Sequence, residues 1–96
     1  MQRIGVVVEL RKGSRERAEE LVAEGPPFDL SGAGFTRHAI FLGNDRAVFV
    51  FEGEDAERLV RNIVADPVAS AALTRWAPIL AGTPRIVHEA FAWEKD

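Results

Sequence analysis

The chain contains no cysteine, which excludes disulfides and thiolate metal sites. Nor does it carry an excess of positive charge, since 12 lysines and arginines face 15 aspartates and glutamates, for a net charge of −3. Binding DNA or RNA regardless of sequence takes a cationic field that displaces counterions from phosphates, so this balance disfavours that class. Long hydrophobic runs are also missing. None approaches the roughly 20 residues that span a bilayer, and the opening MQRIGVVVEL lacks the apolar core and small-residue cleavage site of a signal peptide. The expectation is a cytoplasmic protein with no membrane partner. No repeat of solenoid length and no low-complexity segment is evident.

What is present is globular. Hydrophobic residues make up 47% of the 96 and charged residues 28%, so residues 1–96 read as one domain. A domain this short buries only about two-thirds of its unfolded surface, so it gains from a partner.

The central stretch GFTRHAIFLGNDRAVFVFEGED reads as two strands joined by a tight turn and delivered into a helix. With Asn44 and Asp45 at the turn, the pairs are Leu42 with Ala47, Ile40 with Phe49, and His38 with Phe51. Opposed residues share a face. One face then carries His38, Ile40, Phe49 and Phe51, the other Arg37, Ala39, Phe41, Val48, Val50 and Glu52. Both are largely apolar, although a sheet covered on one side should be polar on the other. The second face therefore calls for a cover from another subunit or for a ligand cavity.

The flanking segments complete a β-α-β-β-α-β order. Residues 3–10 alternate as a strand, and Ser14 is placed to cap a helix with Ala18, Leu21 and Val22 as its apolar stripe. Gly25, Pro26 and Pro27 stop that helix. Phe28 and Leu30 are apolar residues in the loop that follows and are expected to pack down over the fold. Asp55 is placed to cap a second helix bearing Leu59, Val60, Ile63 and Val64. Asp66-Pro67 restarts a helical piece that includes Trp76 and Ile79. The spacing predicts a last strand over 85–93. The fold class is α+β, with a four-stranded antiparallel sheet.

This order, the two apolar sheet faces, the split second helix with Asp-Pro at its joint and the final Phe-Ala-Trp resemble the dimeric α/β-barrel superfamily of ferredoxin-like domains. The hairpin region is most similar to small aromatic polyketide cyclases, and at fold level the chain also resembles antibiotic-biosynthesis monooxygenases. The resemblance implies a homodimer joined through the open sheet faces, with a small-molecule cavity between sheet and helices or loops and no cofactor. The cyclases use a histidine after the first helix, an arginine on the second strand and a histidine on the third; the matching positions here are Gly25, His38 and Phe49. The monooxygenases use a buried Trp and an Asn, roles for which Trp76 and Asn62 are the candidates.

His38 is thus the candidate catalytic residue, with an ordinary pKa of about 6.5 suited to proton transfer near neutrality. Phe28, Ile40, Phe49, Phe51 and Trp76 are the candidate substrate-binding residues, for an apolar or aromatic molecule. Phe49 and Phe51 are expected to line the barrel interior, and Glu9 to face it with His38 or an arginine as partner. A metal site from His38, His88 and Glu89 would need distant strands to converge, so none is expected. Two further readings stand beside the enzyme: a metabolite-binding or structural dimer without catalysis, and an RNA-binding module, because RAVFVF (46–51) echoes the aromatic third strand of RNA-recognition motifs.

Overall fold

The computed structural model describes residues 1–26, 28–65 and 74–95. In chain order the elements are β1 (Gln2–Glu9), α1 (Arg15–Ala23), β2 (Phe35–Leu42), β3 (Arg46–Gly53), α2 (Ala56–Ala65), a 3₁₀ turn (Ala77–Ile79) and β4 (Arg85–His88). The strands form one antiparallel sheet in the order β2-β3-β1-β4. This is the ferredoxin-like α+β arrangement. The helical restart expected at Asp66-Pro67 lies outside the described residues, apart from its end at Trp76 and Ile79, both buried.

The hairpin has the expected register: Leu42 opposes Ala47, Ile40 opposes Phe49 and His38 opposes Phe51. It closes where the Gly43 N–H donates to the Arg46 carbonyl at 2.8 Å, and the Leu10 N–H donates to the Asp45 carbonyl at 2.8 Å, tying the turn to the end of β1. A bulge between Phe35 and Arg37 shifts the phase of β2 by one residue. Phe35 thereby joins His38 and Ile40 on the same side of the sheet and is buried against Phe51, ring centroids 4.9 Å apart.

Both helices and the 74–80 turn cover that side. Ile4, Val6 and Val8 of β1 and Ala47, Phe49 and Phe51 of β3 meet Ala18 and Leu21 of α1, Val60 of α2 and Trp76. Fully burying an aliphatic side chain of this size is worth about 1.5–3 kcal/mol. Phe28 and Leu30 pack against this core as expected of the loop. Phe49 and Phe51 therefore lie in the chain's own core, beneath its helices, and not on the side left open. Their rings are unavailable for stacking on bases, which removes the structural basis of the RNA reading.

Helix capping differs in detail from expectation. Ser14 occupies the N-cap position of α1 but makes no side-chain cap bond. At α2 the Asp55 carboxylate accepts from Arg58 Nε at 2.6 Å, while the Gln2 side-chain carbonyl accepts from the Glu57 N–H at 3.0 Å. A residue of β1 thus satisfies a first-turn N–H of α2. The last strand is also shorter than its alternation predicted, ending at His88 and not at Trp93. Its ladder with β1 ends at Ile4 opposite His88, and β1 itself begins at Gln2, so residues beyond Ala90 have no β1 strand residue opposite them.

The uncovered face has an apolar centre of Val7, Ala39, Phe41, Val48, Val50 and Val87, with Phe41 64% exposed. Ion pairs border it on two sides. Arg37 reaches Glu52 at 3.1 Å, Glu52 meets Arg3 at 2.9 Å and Arg3 meets Glu89 at 2.6 Å, a row that runs from β2 across β3 and β1 to the residue after β4. Toward the other end Glu9 meets Arg85 at 2.9 Å and Arg46 at 3.9 Å. Glu9 is therefore turned away from His38 and finds its partner in an arginine of β4. Glu52 is held below its ordinary carboxylate pKa, chiefly by its hydrogen bonds from Arg3 and Arg37.

Gly53 permits a close backbone approach, since a Cβ there would sit 2.7 Å from the Gly34 carbonyl oxygen. Gly53→Ala should lower stability by about 1–3 kcal/mol through overpacking against backbone that cannot yield. Urea unfolding followed by circular dichroism checks this, with an unchanged midpoint as the contrary result.

Candidate functional site

Between the covered sheet face, α1, α2 and the loop after α1 lies a cavity of about 130 Å³. A cavity of roughly 150 Å³ holds benzene in other proteins, so this partly open space is of the order that seats one ring. Gly25 has φ of 86°, the left-handed region that suits glycine, and lets the chain leave α1 sharply. Gly25 and Pro26 then form one lip, and Phe28 and Leu30 descend as part of the wall. Leu21 and Val22 contribute from α1, and Val60, Ile63 and Val64 from α2. The floor is Val6, Ile40, Phe49 and Phe51. Trp76 closes the far side with its ring edge-on to Phe49, at 4.9 Å and 86°.

His38 is the only titratable side chain among the described lining residues. Its Nδ1 lies 3.0 Å from the Val50 carbonyl oxygen. A carbonyl accepts and cannot donate, so Nδ1 carries the hydrogen and the neutral ring keeps its lone pair on Nε2. The ring stacks on Phe51, centroids 4.4 Å apart and planes 24° apart, and lies parallel to Phe49 at 6.3 Å. Desolvation lowers the His38 pKa below its ordinary 6.5, partly opposed by the bond to Val50. The imidazole is thus kept neutral and basic at Nε2 within an apolar enclosure.

His38, Phe28, Ile40, Phe49, Phe51 and Trp76 are all brought to this one cavity. So are Gly25 and Phe49, which match the other two cyclase positions and supply no proton-transfer group. Asn62 is elsewhere. It lines an open depression with Gln2, Asp55, Glu57, Arg58 and Arg61 beside α2, so it cannot join Trp76 at a common substrate. His88 lies on the opposite edge strand from His38 and pairs with Glu57 at 3.2 Å. Glu57 is pulled below its ordinary pKa, first by Arg61 and then by His88. Two strands separate the histidines, roughly 14 Å at sheet spacing, and among the described residues no cluster of three or more potential metal ligands occurs.

The walls from Leu21, Val22, Leu30, Ile63 and Val64 were not singled out in the sequence as site residues. For Leu21, Val22, Ile63 and Val64 the signal was the helical stripe itself, and for Leu30 an apolar residue in the loop, both of which read equally as core.

The depressed His38 pKa links the site to stability. As pH falls through about 6.5 the unfolded chain takes up a proton that folded His38 still refuses, so stability is full above that pH and declines below it. The ring should titrate below its ordinary value by NMR, and His38→Gln should flatten the acid-side decline in urea stability. A His38 that titrates at or above 6.5 contradicts the enclosure.

No protein-family model matches the chain, and no curated protein matches it in sequence. Solved structures do match in shape. Tetracenomycin F2 cyclase from Streptomyces glaucescens, a type-II polyketide cyclase, superposes with a TM-score of 0.68 at 15% identity, over 100% of both chains. An antibiotic-biosynthesis-monooxygenase protein from Bordetella bronchiseptica superposes with a TM-score of 0.63 at 20% identity, over 97% of this chain and 100% of the other. At these identities the likeness is one of fold. The described residues contain no helix long and apolar enough to cross a membrane. The chain shares with both the ferredoxin-like α+β fold.

Proposed function

We propose that the protein is a cytoplasmic homodimer, joined through the open sheet faces, in which each protomer binds one small aromatic or polyketide-derived ring and uses His38 to move a proton on it. The observation that carries this reading is the one imidazole among the described lining residues of an otherwise apolar cavity, bonded through Nδ1 to the Val50 carbonyl and so left with Nε2 to accept a proton. The apolar walls orient the ring and exclude water, while Nε2 accepts a proton from a hydroxyl or from a carbon next to a carbonyl. The imidazolium formed stays bonded to the Val50 carbonyl through Nδ1–H and returns the proton to the product. The cyclase among the structural neighbours supports this class of substrate by analogy of fold.

Cofactor-free oxygenation has less support, because Trp76 lines the cavity and Asn62 does not. The homodimer is supported by the apolar centre of the open face, which leaves Phe41 and Val87 exposed. The chief alternative is a binding module without turnover.

The two are separated with a one-ring ketone, acetophenone, in deuterium oxide. Wild type should bind it and accelerate exchange of its methyl hydrogens, while His38→Gln should bind within about tenfold and lose the acceleration, a catalytic factor of order 10²–10⁴. Binding without exchange leaves the non-catalytic module. Failure to bind any one-ring probe, with no mass co-purifying in native mass spectrometry, removes the cavity as a site.

A further inference from the structure

Among the described lining residues of the cavity, only His38 and Trp76 carry a side-chain nitrogen; the others are aliphatic, phenylalanine, glycine or proline. The indole of Trp76 can donate a hydrogen bond and cannot accept one. His38 has already given its Nδ1–H to the Val50 carbonyl at 3.0 Å. Its Nε2 is therefore the one side-chain acceptor of the lining, and among the described residues it has no hydrogen-bond partner. The surrounding elements bring no charge to it. They contribute Val6 from β1, Leu21 from α1, Phe28 from the loop, Phe51 from β3, Val60 from α2 and Trp76, with apolar neighbours of each.

An aromatic carboxylate is ionised at neutral pH and would enter this space with no lysine or arginine among the described lining residues to replace its water. Desolvating such a charge unpaired costs far more than burying a neutral group. A phenol is neutral at the same pH, since the tyrosine hydroxyl, the same chemical group, titrates near 10. It can bury its ring against Phe49 and Trp76 and give its hydroxyl hydrogen to Nε2. An aryl ether of equal size buries the same ring but leaves that acceptor unmet, and an unmet acceptor away from water costs free energy.

We propose that His38 sorts ligands by what they donate: the cavity takes an uncharged one-ring phenol, its hydroxyl donating to Nε2, in preference to aryl ethers and to aromatic carboxylates. The proposal rests on the cavity being the binding site, as proposed above, and narrows its ligand from any small ring to one bearing a hydroxyl. The resting complex is the neutral pair, because a phenolate beside an imidazolium would put two charges into an apolar space.

Isothermal titration calorimetry with p-cresol, anisole and benzoate at neutral pH tests this. The first two are isomers, so their comparison isolates the hydroxyl donor from ring burial. Wild type should bind p-cresol about tenfold more tightly than anisole, and benzoate at least about 100-fold more weakly than p-cresol. In His38→Leu, checked for native circular dichroism, the advantage of p-cresol over anisole should shrink to within about threefold. Wild type supplies a readout that does not depend on that variant folding: p-cresol should move the ¹⁵N resonance of His38 Nε2 several-fold further than anisole does. Equal affinities for p-cresol and anisole, or benzoate bound as tightly as p-cresol, overturn the selection and leave the cavity as a binding site. If none of the three binds, the cavity reading beneath the proposal fails with it.

Discussion

The register of β2 against β3, set at the Asn44-Asp45 turn, is the constraint on which the rest of this structure depends. Side chains alternate along a strand, so slipping the hairpin by one residue would exchange every side chain between the two sides of the sheet. In the observed register Phe49 and Phe51 go beneath the helices with His38 and Ile40, while Arg37, Phe41 and Glu52 go to the open side. The bond from Leu10 to the Asp45 carbonyl then ties the turn to β1. The bulge near Phe35 adds a ring to the covered side that strict alternation would have put outside.

Two different surfaces result from one sheet. The covered side is apolar and aromatic, and its helices do not fill it completely; the remaining space holds the imidazole of His38. The open side has an apolar strip bordered by ion pairs. Exposed ion pairs contribute little stability individually. Their value here lies in keeping arginines and carboxylates of adjacent strands mutually neutralised around an apolar centre, a distribution suited to self-association. The short β4 and the unpaired rings beyond it belong to the same problem, a small domain with more apolar surface than its own helices cover.

His38 illustrates how environment assigns chemistry. In water an imidazole is about half protonated near pH 6.5. Here burial removes solvation from the charged form, and the Val50 carbonyl selects which nitrogen keeps the hydrogen. Neither effect is local in sequence, since Val50 is brought alongside His38 by the hairpin and the desolvation comes from α1, α2 and the loop after α1.

Element order, the hairpin pairs and the membership of the two sheet faces followed from the sequence by itself, because strand alternation and turn chemistry are local. Part of the cavity lining was also legible, His38 with Phe28, Ile40, Phe49, Phe51 and Trp76, since a histidine among ring-bearing positions on an apolar face is an unusual composition, whereas the aliphatic walls were not. Tertiary structure decided which face the helices cover, and so that Phe49 and Phe51 are core, that Glu9 pairs with Arg85, and that Asn62 lies apart from Trp76. It also decided that β4 pairs with β1 only as far as His88, and that residues beyond Ala90 have no β1 strand residue opposite them. These outcomes depend on which distant segments pack together, and alternation within one segment carries no information about that.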